Sequence, residues 1–239
     1  MPHGPVHFLT TRLRQAAGRS VVSLVLAVSA APAGADAPQD AVSAIEGLHD
    51  TLIAAMKDAD ALGFAGRREL IAPAATDVFD FTFMAVKSLG PHARKLSEGD
   101  RLRWIDAFAL FVTSNLARQF DGYSGEVFET RAVDSAPRDT LIVQTVLVRP
   151  DDDDVRLYYR LRSLAVSNPA SAADDTPAET TDGEVDDEPE TAVSWHVIDV
   201  YSNGTVSELA LRRSEFSGLF RRQGFEKLVE TVVTKANRE

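Results

Sequence analysis

From Asp40 to Met56 apolar residues recur every three or four positions, at Val42, Ile45, Leu48, Leu52, Ile53 and Met56. That spacing predicts an amphipathic helix. A second helical pattern begins near Gly66 and is expected to break near Pro73, because a proline inside a helix removes an N–H and crowds the preceding turn. It leads into DVFDFTFMAVKSLG, where Phe79, Phe81, Phe83 and Met84 crowd together before Gly90-Pro91 stops the segment. Ser97 opens the strongest helix, since Ser97-x-x-Asp100 is a capping box with Asp in place of the usual Glu. Trp104, Ile105, Phe108, Ala109, Phe111, Val112, Leu116 and Phe120 follow and cover about half the helix circumference. Arg103, Asp106, Thr113 and Arg118 fall on the other side, and Gly122 and Gly125 end the segment.

The period then changes from helical to two. Glu126 to Val133 reads as a strand, and Thr140 to Arg149 as another. In the second, Leu141, Val143 and Leu147 lie on one face, and Ile142, Val146 and Val148 on the other. A strand apolar on both faces is covered on both, or has one face on a cavity. Val155 to Leu164 alternates more cleanly, with Val155, Leu157, Tyr159 and Leu161 set against Arg156, Arg160 and Arg162. Ala192 to Tyr201 is a fourth strand. It ends at the turn dipeptide Asn203-Gly204, and the chain is helical again by Ser214. Two short C-terminal helices, broken near Gly224, bury Phe216, Leu219, Phe220, Phe225, Leu228, Val229 and Val232. Helices, then an antiparallel meander, then helices make an α+β plan: a curved antiparallel sheet with helices packed on one face.

Composition alters this picture at two places. Residues 1–35 carry Arg12, Arg14 and Arg19, then the apolar run VVSLVLAVSA, then the small-x-small site Ala33-Gly34-Ala35. These are the three parts of a cleaved Sec-type signal peptide, and the apolar run is shorter than the ~18 residues of a spanning helix. The expected domain is therefore residues 36–239, exported to the periplasm. The formal net charge is −11. It becomes −14 without the three signal arginines, and −5 once the nine acids of Ser167 to Thr191 are set aside. The stretch 167–191 has no basic residue and almost nothing apolar to bury, so it reads as a disordered acidic loop between two strands. The rest is mildly acidic, which gives no support to nucleic-acid binding.

Motifs for chemistry are scarce. There is no cysteine. His49, His92 and His196 form no metal-ligating spacing. Asp151 to Asp154 fails as a calcium loop, because the positions that need Gly and Glu are Arg156 and Arg162. GYSGE at 122–126 has Glu126 where a nucleophile elbow needs Gly. Asp80, Asp106 and Asp199 have no spacing that pairs them for acid/base work. The chain reads as no enzyme. More informative are the aromatics Phe79, Phe81, Phe83, Trp104, Phe108, Phe111, Phe120, Tyr123, Phe128 and Trp195. They suit either an ordinary core or the lining of a cavity, and periodicity does not separate the two.

The segment WHVIDVYSNGTVSELALRRSEF, followed by GFEKLV, resembles the signature of the MlaC or toluene-tolerance family of periplasmic phospholipid-binding proteins. The matching positions are Trp195, Asp199, Gly204, Ser207, Arg213, Phe216, Gly224 and Leu228. FDFTFMAVKSLG and RLRWIDAFALFVTSNLARQFDGYSGEVFE are also similar to the family. FDGYSGE and SELALRRSEF resemble most closely its hopanoid-associated, HpnM-like branch. Two features depart from the family: His92-Ala93-Arg94 where an aromatic is usual, and the length of the acidic loop. The resemblance implies a single lipid-binding domain whose sheet and helices enclose an apolar lipid cavity, with a bound lipid and no cofactor. It implies a shuttle carrying phospholipid, or a hopanoid-type lipid, between inner and outer membranes. Its partners would be an inner-membrane lipid transporter complex and an outer-membrane lipoprotein complex. A ligand-free accessory protein of envelope or hopanoid biogenesis is the other reading. The lining it implies is Phe79, Phe83, Met84, Trp104, Phe108, Phe111, Val143, Val146, Tyr158, Trp195, Val197, Phe216 and Phe220. Asp199 would hold its strand end through Arg213, and the helix carrying Arg212 and Arg213 would stand at the cavity rim.

Overall fold

The amphipathic helix α1 (Ala37–Lys57) leads the fold in the computed structural model, which describes residues 37–165 and 193–238. Residues 1–35 and the acidic stretch 167–191 lie outside the described residues. After α1 come α2 (Ala59–Val78), α3 (Phe81–Leu89), a 3₁₀ turn (Gly90–Lys95) and α4 (Glu98–Gln119). Then follow β1 (Val127–Ala136), β2 (Thr140–Val148), β3 (Val155–Ala165), β4 (Val193–Ser202), the short β5 (Val206–Ser207) and α5 (Glu208–Ala236). The strands form one antiparallel sheet in the order β1-β2-β3-β4-β5, with the helices against one face, an α+β architecture.

Two helix boundaries differ from the sequence reading. The break in the second helical region falls at Gly63, whose φ is 57°, and not at Pro73, which sits inside continuous helix. Positive φ with an extended ψ cannot be helical, whereas proline's fixed φ is itself helical. The second boundary is Asp80. Phe79 leaves α2 in an extended conformation and bridges to Val197 of β4. The Asp80 amide donates to Val197 O (2.9 Å), and the Asp80 carboxylate caps α3 by accepting from Phe83 N (2.8 Å). The cap predicted at Ser97 forms: its Oγ accepts from Asp100 N at 3.1 Å. The Asp100 carboxylate accepts from the Ser97 hydroxyl instead of reaching back to the backbone amide. Thr113, expected on the exposed side of α4, is buried and donates its hydroxyl back to Ala109 O (2.9 Å).

The core lies between the sheet and the helices. Leu141, Val143, Thr145 and Leu147 of β2 pair across to Leu161, Tyr159, Leu157 and Val155 of β3, so all of these share the helix-facing side. The reverse side carries Ile142, Gln144 and Val146 beside Arg160, Tyr158 and Arg156. One bulge changes the parity of β4. Tyr159 pairs with Val200 and Arg160 with Asp199, but Leu161 pairs with Val197, so Ile198 is the extra residue. Val197 and Val200 therefore both face the helices, and Asp199 faces the other way beside Arg160. A second bulge, at Arg131, interrupts β1 between Thr130 and Ala132.

Behind α4 the aromatics form a cluster. Trp104, Phe108 and Phe216 are fully buried, with the Phe216 ring edge-on to Trp104, Phe108 and Phe111. Trp104 Nε1 donates to Ala85 O at 2.8 Å, so its burial leaves no orphan donor. α5 is a single run in two segments, hinged at Gly224 with φ of 80°.

Candidate functional site: an apolar cavity with a polar rim

A cavity of about 240 Å³ lies between the helix-facing side of the sheet and helices α1, α3, α4 and α5. Its wall is hydrocarbon. Phe108, Phe111 and Leu116 come from α4, Met84 from α3, and Leu157 and Val200 from the sheet. These positions follow from the two periods read in the sequence: i, i+3 and i+8 along one face of α4, and the inward residues of β3 and β4. Phe79 reaches the wall because the extended residue between α2 and α3 turns its ring inward against Phe81.

Polar side chains close one end of this cavity. Asn115 and Gln119 stand on α4, Ser202 ends β4, and Glu208 and Arg212 belong to the first turns of α5. Arg212 is held on both sides, donating to Glu215 (2.7 Å) and to Glu208 (3.3 Å). Its guanidinium lies over the Phe111 ring, 5.3 Å from the centroid. Glu208 also accepts from the Ser202 hydroxyl (2.6 Å). The rim thus offers both signs of charge beside an apolar throat.

Deeper in, Tyr159 presents the one hydroxyl that the wall contributes from β3, and His49 Nε2 lies 3.0 Å from it. The His49 ring is buried and stacks on Phe128 at 3.7 Å. Burial lowers the His49 pKa to about 3 and raises that of Tyr159, so both stay uncharged through the physiological range. Each answers the other's polar atom without adding charge to a hydrocarbon wall. No local pattern marks this pair, whose members are 110 residues apart in the chain.

The structure distributes the thirteen expected lining residues as follows. Phe79, Met84, Phe108 and Phe111 line the cavity. Trp104, Val143, Val197 and Phe216 are fully buried in the packed core instead, and Trp195 is half-buried against the same core where β4 pairs with Ser163. Phe220 packs on His92 (4.9 Å between ring centroids) and on Phe225. Val146 and Tyr158 face away from the helices, because alternation puts them on the reverse of the sheet. Val146 pairs with Glu129 and Arg156, and the Tyr158 ring packs on Gly204. Phe83 lies outside this cavity, under Lys87 and Arg162.

The chain segment that begins at Trp195 shows how α5 is placed. Asp199, on the sheet's reverse, accepts from the Ser207 hydroxyl (2.6 Å) and from Leu209 N (3.0 Å), and Ser207 Oγ accepts from Ala210 N (3.0 Å). Together they cap α5, which starts at Glu208, earlier than its sequence pattern shows. Asp199 acts through Ser207 and the helix end, not through Arg213. Burial raises the Asp199 pKa, against the opposing pull of Ser207, the Leu209 and Val200 backbone and Arg160. The two adjacent arginines separate: Arg212 stands at the apolar cavity's rim, and Arg213 borders a second cavity. Among the described residues, no group of His, Asp and Glu is arranged to hold a metal ion.

Two comparisons with known proteins bear on this geometry. The family model described as "MlaC protein" matches residues 46–171, more than half of the chain. A solved structure of a phospholipid-binding protein from Ralstonia solanacearum, in complex with a phospholipid, is similar at 15% sequence identity and a TM-score of 0.61. The match covers 82% of this chain and 97% of that one. At that identity the likeness is one of fold. No curated protein matches the chain.

Proposed function

Since the chain belongs to the MlaC family, we propose that it is a lipid carrier of the periplasm, moving one phospholipid at a time between inner and outer membranes. The observation that carries this reading is the apolar cavity with its charged rim. Two acyl chains of ordinary length lose more than ~20 kcal/mol if placed in water, at ~0.8 kcal/mol per CH₂. A shuttle must offset that loss with hydrocarbon contact and leave the head group wet. Phe108, Phe111, Leu116, Met84 and Leu157 supply the contact. Asn115, Gln119, Glu208 and Arg212 supply partners for a phosphate and for a cationic or hydroxylated head group. The similar fold that holds a phospholipid in the Ralstonia solanacearum protein supports the same use here.

The work on the chain's side is binding, orientation and release. At about 240 Å³ the cavity is smaller than the ~300–1,000 Å³ of typical ligand sites. Two acyl chains therefore require the helices to separate from the sheet. The Gly63 and Gly224 hinges are where α2 and α5 change direction without breaking the packed aromatic cluster. Delivery to this compartment rests on the signal-peptide pattern of residues 1–35. The partners in this reading are an inner-membrane transporter complex and an outer-membrane lipoprotein complex.

Mass spectrometry of an organic extract of the protein, purified from its own cells without detergent, is the test. The expected result is about one phospholipid per chain. A hopanoid in its place would assign the HpnM-like branch. Protein free of lipid, and unable to take it up from vesicles, would support the ligand-free accessory role and refute the carrier.

A further inference from the structure

A second cavity, of about 650 Å³, lies where reverse-side residues of β3 and β4 meet α3 and α5, and has a different chemistry. Arg160 and Arg162 of β3, Arg138 of the β1–β2 turn, Lys87 of α3 and Arg213 of α5 all border it, and the one carboxylate in its lining is Asp199. This is the opposite of the chain as a whole, whose net charge is −11. Gathering five cations on one concave surface raises their mutual repulsion, and such a surface focuses its field on whatever anion enters.

The two acids nearby are already engaged. Asp199 is used in capping α5 through Ser207 and Leu209 N. Asp80 holds Arg162 by ion pair and caps α3. The cations are fixed largely by neutral groups. Arg160 donates to Thr140 Oγ1 (3.0 Å) and to Pro137 O (2.8 Å). Lys87 and Arg162 both sit over the Phe83 ring, at 5.1 and 4.7 Å from its centroid. Arg213 lies against Gly90, where φ is +58° and an added Cβ would come within 3.1 Å of its Nε. Arg138 is itself held at φ of 65° in the tight β1–β2 turn. Among the described residues, Lys87, Arg138 and Arg213 have no carboxylate within ion-pair distance. Three cations from three separate elements therefore converge, without counter-charge, on one preformed hollow.

We infer that this second cavity is a binding site for a phosphate group, separate from the apolar cavity. A free phosphate or a phosphate monoester offers four or three terminal oxygens to donors arriving from a turn, a helix and another helix; a phosphodiester offers two, like a carboxylate, with two further ester oxygens as weaker acceptors. Guanidinium forks match phosphate oxygens in pairs, and the lysine adds a point charge. The group is either free phosphate, or a small phosphate ester, or the phosphate of a lipid head group at a membrane surface.

The test uses the full mature chain and inorganic phosphate, titrated calorimetrically and by thermal unfolding, with chloride at matched ionic strength as the reference. Phosphate is expected to bind and to raise the melting temperature beyond the chloride control, since a ligand that binds only the folded chain stabilises it. The double variant Lys87→Gln/Arg138→Gln, and Arg213→Gln separately, are expected to weaken phosphate binding about tenfold or more, with unchanged circular dichroism. All three side chains are exposed, so the fold survives their loss. Arg101→Gln, an exposed cation elsewhere, is expected to leave it unchanged. Flotation with phosphatidylcholine and with phosphatidylglycerol vesicles separates the sources. Phosphatidylglycerol binding that is lost in the same variants assigns the lipid phosphate, and phosphate binding without vesicle binding assigns a soluble ligand. If neither probe exceeds its control, or if the response survives in both variants, the site is not there.

Discussion

Replacing His49 with glutamine should make the folded protein less sensitive to acid. In the folded chain burial lowers the pKa of His49 from 6.5 to about 3. In the unfolded chain the ring titrates at its ordinary value, so between those limits the unfolded state binds a proton that the folded state refuses. Stability contributed by this group is therefore complete above about pH 6.5 and is lost as pH falls toward 3. Near pH 4.5 the difference amounts to roughly two pKa units, or about 2.5 kcal/mol, a substantial part of a typical domain's 5–15 kcal/mol. Because His49 is only 3% exposed, solvent does not dilute the effect. Glutamine keeps a partner for the Tyr159 hydroxyl but does not titrate, so carboxylates such as Asp199 contribute equally to both proteins and cancel. Urea unfolding of the wild type and His49→Gln, each near pH 7.5 and near pH 4.5, gives the number as a difference of differences. The variant is expected to be less stable at neutral pH, where it loses the stack on Phe128, and to lose about 2.5 kcal/mol less on acidification. Identical losses in the two proteins would mean that His49 is hydrated or charged in the native state, and the uncharged-wall account of the cavity would fail with it.

Three further outcomes follow from particular contacts. Val112→Trp, at a half-buried position on the cavity wall, should reduce co-purified lipid severalfold in extraction and mass spectrometry while circular dichroism stays unchanged. Asp199→Ala removes the acceptor for Ser207 and Leu209 N, and should cost about 1–3 kcal/mol in urea unfolding. Gly204→Ala places a Cβ 2.8 Å from the Tyr158 ring at a φ of 72°, so it should lower the melting temperature. Tyr158→Ser in the same chain should restore part of that loss by relieving the clash but not the backbone strain.

The fold is legible in the sequence where one period governs a segment. Val155, Leu157, Tyr159 and Leu161 alternate against arginines, and the structure turns those apolar residues toward the helices. It is not legible where the pattern is symmetric or local. In β2 both faces are apolar, so nothing in the residues told Val143 from Val146; only pairing with Tyr159 and Arg156 decides it. Trp104 shares the α4 face of Phe108 and Phe111, yet it and Phe216 of α5 fill the space behind the cavity wall instead of forming it. The Ile198 bulge shifts parity by one residue and sends Asp199 to the reverse of the sheet, which no alternation rule anticipates. Proline's φ is helical and that of Gly63 is not, so α2 runs through Pro73 and breaks at Gly63. The cationic cavity assembles residues from α3, the β1–β2 turn, β3 and α5, a juxtaposition that exists only in three dimensions.

The bulge at Arg131 bears on how such a chain survives at high concentration. The sheet order leaves β1 at an edge, where unpaired N–H and C=O groups invite a strand from another molecule. A guest strand needs several consecutive residues in register. The extra residue breaks that register midway, between Thr130 and Ala132. Arg131 and Asp134 are exposed around the break and Glu129 is half-buried, so a guest would also have to dehydrate charges of both signs. The edge is thereby a poor template for fibril growth, and a chain with Arg131 deleted would regain an uninterrupted one.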